Sequence, residues 1–342
     1  MNSLNQSDED NLNLELLKQG ADVFCSLKCS ILNYLNDNFT TNNNENLKLI
    51  NIAKFIENKL KTEIKYDTSR PLDASIAFPI GLNVNQVIAH WSPNHLDTKQ
   101  VLRKDDIIKI DYGVQLRGYI IDSAFSYSHN NKFNQLIQIS EEATNKGCAM
   151  IGEDVLINDI SETIQEIIES SEIELDGKQI QVKSTKNLTG HKIQKYKIHG
   201  DKMIPNISIP QYKERIKDNE LYAIETYPTT GNGLGVLSNN PSEISHYMLD
   251  YKLKDKPVSL FTNLNKKERE LLKIIKNKFG TLPFARRWLN EMNLKKYYLN
   301  LKSLVNKNII IEFPPYYDIK GSYVSQTEKN VIIKNGIKTI LT

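Results

Sequence analysis

From Ile107 to Phe125 the chain reads IIKIDYGVQLRGYIIDSAF, two strand-like runs joined at a tight turn. Ile108, Ile110, Ile121 and Phe125 make both runs look buried, and Asp is depleted from strands even on half-buried surfaces. Asp111 and Asp122 are therefore the anomaly. If Gln115 pairs with Gly118 across the turn, Asp111 falls directly opposite Asp122 and the carboxylates share one face, their Cβ atoms about 4.5 to 5.5 Å apart. One of them then suffices to bridge metal ions about 3.5 to 4 Å apart. With 41 Asp and Glu in 342 residues, chance could also supply the pair. Burial weighs against chance, because an unpartnered buried carboxylate neutralises itself rather than stay charged, and a cation is a ready partner.

Imidazole commonly complements carboxylate at a catalytic divalent metal. His191 and His199 lie in the stretch Asn187–Gly200, and His90 lies in VIAHWSPN, Val87–Asn94. Any one of these, taken singly, is more often an ordinary core or surface histidine. Glu225, in ELYAIETYP, and Glu328, in YVSQTEKNVII, are acidic residues inside otherwise apolar strand-like runs. Four carboxylates balance two divalent cations, so Asp111, Asp122, Glu225 and Glu328 with His191 make a nearly neutral, mostly oxygen-ligand dimetal centre.

The chain resembles the type 2 methionine aminopeptidases, dimetal enzymes of the pita-bread fold in peptidase family M24. The resemblance rests on ten stretches in order: AFPIG from Ala77, HWSPN from His90, KIDYG from Lys109, IIDSAF from Ile120, LTGH from Leu188, YKIH from Tyr196, YAIETY from Tyr222, SHYM from Ser245, FGTLPFARRWL from Phe279 and PPYYDIKGSYVSQTE from Pro314. It implies an α+β pita-bread catalytic domain over residues 12–342, preceded by a flexible tail at 1–11 and carrying a winged-helix-like helical insertion at 258–313. It implies that Asp111 chelates a first metal, Asp122 and Glu328 bridge both, and His191 and Glu225 complete the second. The cofactors would be two divalent ions, manganese, cobalt, iron or zinc. A metal-bound hydroxide would attack the carbonyl after an initiator methionine whose neighbour is small, with Glu225 also shuttling the proton. His90 would act as a catalytic hydrogen-bond donor to the substrate, and His199 would contact its backbone. Phe78, His246 and the Leu282–Pro283 segment would wall the methionine pocket. The implied partners are nascent peptide N-termini, with ribosome association left open, and the expected state is a monomer.

Several positions depart from the family pattern. Lys192 follows His191 where a small residue is usual, and Lys329 follows Glu328 where His is usual. Phe313 stands where a pocket-rim Tyr is usual. A cation near the mouth would favour some N-termini, and a lost phenol removes a hydrogen bond. Ending at Thr342, the final strand is expected to be weakly anchored.

Composition is ordinary for a water-soluble globule: 39% hydrophobic and 25% charged residues, with a net charge of +3 that is too small to imply nucleic acid. Cys25, Cys29 and Cys148 form no zinc quartet, so reduced thiols and a cytoplasmic location are expected. No run approaches the roughly 18 to 20 apolar residues of a membrane span, so no membrane partner is expected. Apolar periodicity predicts helices over 12–35 and 47–63, strands then helices over 75–169, strands again over 179–250, and three helices over 264–312. The lysines of that last segment read as a solvated face rather than a nucleic-acid surface.

Two rival classes share the fold. Non-enzymatic proliferation-associated relatives lack intact metal ligands, whereas all five ligand positions are filled here. Prolidases and proline aminopeptidases carry a large N-terminal domain, whereas only about 70 residues precede Ser75.

Overall fold

The computed structural model describes residues 12–292, 294 and 296–342. The expected tail at 1–11 lies outside the described residues. Two helices come first, Leu14–Thr40 and Leu49–Glu63. Asn13 caps the first, its side chain accepting from the Leu16 amide at 3.1 Å. Leu17, Phe24, Leu27, Ile31 and Leu35 lie on one buried stripe of that helix, the three-to-four-residue repeat that seats a helix on a sheet.

The sheet beneath has nine strands. Its main path runs, by strand, Ala74–Ile76, Ile107–Leu116, Tyr119–Ser128, Thr327–Lys334, Glu220–Thr226, Thr189–Ile193 and Met203–Pro205. Thr327–Lys334, the latest in sequence on this path, thus lies in the middle. On the same face, further across the sheet, pack helices Asn134–Met150 and Ile157–Glu169, over a second core that includes Phe133, Ile160, Ile164, Tyr222 and Ile224.

The register of the Ile107–Ser128 hairpin differs from the sequence expectation. Leu116 pairs with Tyr119, so the loop residues are Arg117 and Gly118, with φ of 51° and 90°. Asp111 therefore faces Ala124, and Asp122 faces Gly113. The cause is the turn: a two-residue loop with both φ positive matches strand twist, and glycine suits its second position. A shift of two residues preserves side-chain parity. The two aspartates still share a face, as diagonal neighbours about 7 to 8 Å apart rather than as a direct pair.

The 258–313 segment holds the three expected helices, Lys266–Phe279, Arg286–Glu291 and Tyr298–Asn306. Asn265 and Glu268 form a reciprocal capping box at the first. Strands Phe284–Ala285 and Ile310–Phe313 flank His246–Leu249, which ties the segment to the body. The expectation of a weakly anchored end is corrected. Ile337–Ile340 pairs with Thr327–Lys334, and the Thr342 hydroxyl accepts from the Asn330 amide at 2.8 Å and lies 2.7 Å from Ser123 Oγ. No helix among the described residues is long and apolar enough to cross a membrane, and all three cysteines are free thiols.

Candidate metal centre and its cavity

Two rows of residues cross the central sheet. In the first, Asp111 faces Ala124, Ala124 faces Glu328, and Glu328 faces Glu225. In the second, Gly113 faces Asp122, while His191 faces Ala223 and Ala223 faces Asn330. The Asp122 amide donates to Asn330 Oδ1 at 2.8 Å, which joins the two ends of that row. Even spacing along strands puts these side chains on one face, so five strands deliver four carboxylates and an imidazole to one cavity. Asp122 Oδ2 lies 3.4 Å from His191 Nε2, and Glu225 Oε1 lies 3.9 Å from it. Asp122, His191 and Glu328, all buried, each present a ligand atom within 4.8 Å of the others.

The electrostatics are those of a site built for cations. Burial raises the Asp122 carboxyl to about 7. It raises Asp111, Glu225 and Glu328 well above the usual carboxylate range, and neighbouring carboxylates push each further. Burial lowers His90 and His191 to about 4 and His199 to about 3, so all three are neutral at pH 7. Neutral imidazole is the form that binds metal. Asp111 Oδ1 is buried with no hydrogen-bond partner among the described residues. That orphaned oxygen, with an oxygen-rich donor set and one nitrogen, fits divalent manganese, iron, cobalt or zinc.

The sequence reading missed the groups that brace this set. Tyr227 Oη donates to Glu225 Oε2, and Gln326 Nε2 donates to Tyr227 Oη at 3.0 Å and to Asp111 Oδ2 at 3.3 Å. Asn206, fully buried, donates to the Glu225 carbonyl at 3.0 Å and accepts from the Tyr227 amide at 3.1 Å. Tyr227 and Gln326 sit two residues from Glu225 and Glu328, and strand parity alone could have flagged both.

The five candidate ligands line a cavity of about 310 Å³ together with His90, His199, Phe78 and His246. Gly113 makes room for Phe78, because a Cβ there would stand 2.3 Å from its ring. His90 follows strand Val87–Ala89 with φ of 63°, a left-handed conformation that costs a non-glycine residue energy and recurs at functional sites. Its ring packs 5.9 Å from His246, 5.8 Å from Phe313 and 5.7 Å from Tyr316. His246 and Phe313 are cross-strand partners, so the helical segment supplies one cavity wall.

Two expectations are corrected here. Pro283 lines the cavity, but Leu282 does not; it borders a separate one of about 200 Å³ beside Trp288. Lys192 alternates to the opposite strand face from His191, where its ammonium donates to Glu220 at 2.9 Å and lies 3.2 Å from Asp201. It offers no cation to the mouth.

Comparison with known proteins agrees with this geometry. The model of metallopeptidase family M24 matches residues 33–245. Methionine aminopeptidase 2 of Komagataella phaffii is 38% identical over 297 residues, covering 86% of this chain. The chain spans 64% of that relative's length. Among solved structures, a thermophilic Arx1 superposes with a TM-score of 0.74 at 13% identity, covering 96% of this chain and 91% of that one. A methionine aminopeptidase from Thermotoga maritima superposes with a TM-score of 0.57 at 16% identity, covering 100% and 99%. The nine-stranded sheet, with helices on one face and the carboxylates on the other, is the pita-bread fold, and the chain belongs to metallopeptidase family M24.

Proposed function

We propose that this protein is a dimetal aminopeptidase that removes the initiator methionine from polypeptides whose second residue is small. The observation that carries this reading is the pair of carboxylate rows, with His191, on the floor of a partly apolar cavity. The curated relative named methionine aminopeptidase 2 supports it. Asp111, Asp122, His191, Glu225 and Glu328 would hold two divalent ions. Bound divalent ions supply Lewis-acid polarisation of the scissile carbonyl and a water nucleophile at neutral pH.

The chain's own residues do the rest. Burial holds the Glu225 carboxyl well above the usual carboxylate range, which suits a group that takes and gives up a proton, and the Tyr227 hydroxyl holds one of its oxygens in place. Neutral His90 donates a hydrogen bond to the scissile amide or the developing oxyanion. His199 contacts the substrate backbone. Phe78, His246 and Pro283 receive the methionine side chain, and the 258–313 segment is read as the family's type 2 insertion. The protein acts as a monomer in the cytoplasm on nascent N-termini.

The test is release of methionine from Met-Ala-Ser by purified protein with added cobalt or manganese, beside Xaa-Pro dipeptides. Methionine release without dipeptide cleavage supports the reading. Dipeptide cleavage alone would make the protein a prolidase-type enzyme, and no hydrolysis at all would make it a non-catalytic relative.

A further inference from the structure

The cavity wall continues past its mouth. Strand Val87–Ala89 pairs with Tyr316–Tyr317, which pairs with Val236–Leu237 at the outer edge of a three-stranded sheet. Within it Ala89 faces Tyr316, and Tyr316 faces Leu237. Directly paired residues share a sheet face, and Ala89 and Tyr316 both line the cavity. Leu237 is the next member of that row and is 44% exposed. Across the mouth Met203, also a lining residue, is 46% exposed.

The shelf is held firmly. Asn187, another lining residue, donates to the Gly235 carbonyl at 2.7 Å and accepts from its amide at 2.8 Å. A Cβ on Gly235 would stand 3.0 Å from the Tyr316 ring, so the strand lies tight against the wall.

We infer that Leu237 forms an outer apolar subsite that selects the fourth and fifth residues of the substrate peptide. The inference rests on the aminopeptidase reading and deepens it. Its occupant is the substrate chain itself, because the shelf is continuous with the cavity that the chain must leave. Reach sets the position. The Tyr316 ring lies 5.7 Å from His90, beside the scissile bond, and Leu237 lies one strand spacing further, about 4.8 Å. Extended chain advances about 3.4 Å per residue, which brings the third and fourth residues beyond the cleaved bond to Leu237.

The experiment compares kcat/KM for Met-Ala-Ser-Leu-Leu and Met-Ala-Ser-Gln-Gln, with Met-Ala-Ser as reference. Native enzyme should prefer the leucine peptide about fivefold, carried by KM, as expected for partial burial of an apolar side chain. Leu237→Asp should bring the ratio to about one, and Leu237→Met should restore it. Each ratio is taken within one preparation, so loss of folded protein cancels. Cleavage of Met-Ala-Ser with equal rates on the two longer peptides, or a leucine preference undiminished in Leu237→Asp, overturns this inference alone. No methionine release from any peptide overturns the aminopeptidase reading and this inference with it.

Discussion

Glu225 and Glu328 are direct cross-strand partners, 8% and 3% exposed, in the middle of the sheet. Like charges placed directly opposite one another destabilise a strand pair. Burial and this pairing hold both carboxyls well above the usual carboxylate range, so the pair resists ionising together.

Glu328→Gln should therefore change sign with metal. In chelator the variant should melt at or above native protein, because one buried carboxyl that is costly to ionise is gone. With manganese or cobalt at about 100 times the dissociation constant, native protein gains about 2.7 kcal/mol per site, and the variant should melt below it. Elemental analysis should find well under two metals per chain in Glu328→Gln and in Asp122→Asn. Two tightly held ions and normal turnover in either would sink the dimetal assignment.

Acid should help the metal-free protein at this site. Burial raises Asp122 from 3.8 to about 7, so between those values the native state holds a proton that the unfolded chain has released. The stability this group contributes is complete below about pH 4 and is lost as pH rises through about 7. Buried histidines with lowered values oppose it, which is why the comparison must be differential. In chelator, native stability minus that of Asp122→Asn should fall by a few kcal/mol, in order of magnitude, from about pH 4 to about pH 7. A flat or rising difference in urea titrations would refute it.

His90→Asn should keep both metals and lose roughly 10² to 10³ in kcat, the range for removing a transition-state hydrogen-bond donor. His90→Ala should lose as much and also melt lower, because φ of 63° suits asparagine better than alanine. Metal loss in parallel with activity would make His90 a ligand instead.

Arg287 should prove costly to remove alone. It is 2% exposed, its guanidinium donates to Glu57, to Ser92 Oγ at 2.7 Å and to the Pro93 carbonyl at 3.0 Å, and Trp288 Nε1 donates to the same Glu57 oxygen at 2.7 Å. Arg287→Leu leaves a buried carboxylate unpaired, a change of about 3 to 5 kcal/mol. Glu57→Leu with Arg287→Leu should recover part of it. Equal losses in the single and double variants, read from denaturant midpoints, would contradict the pairing.

The chemistry-bearing residues were legible because acidic residues stand out against apolar strands: Asp111, Asp122, Glu225 and Glu328 each interrupt such a run. Parity carried the shared face of the two aspartates through a register that was wrong by two. The register itself turned on whether Gly118 belongs to the loop or to the strand, and the runs alone left that open. The bracing by Asn206 and the Arg287–Glu57 pair joins residues distant in sequence, and nothing local to either marks it. Lys192 was misplaced because a departure from a family pattern was read without the strand alternation that turns it away from His191.

The Thr327–Lys334 strand lies between Tyr119–Ser128 and Glu220–Thr226, and it acts as a keystone. Asp111 and Asp122 meet through a local hairpin, a contact that forms at little entropic cost, whereas Glu328 must return from more than 200 residues away. Until that strand inserts, the two flanks of the sheet share no edge and the acidic set stays incomplete. Seating one strand therefore both joins the two flanks of the sheet and brings Glu328 to the other three carboxylates.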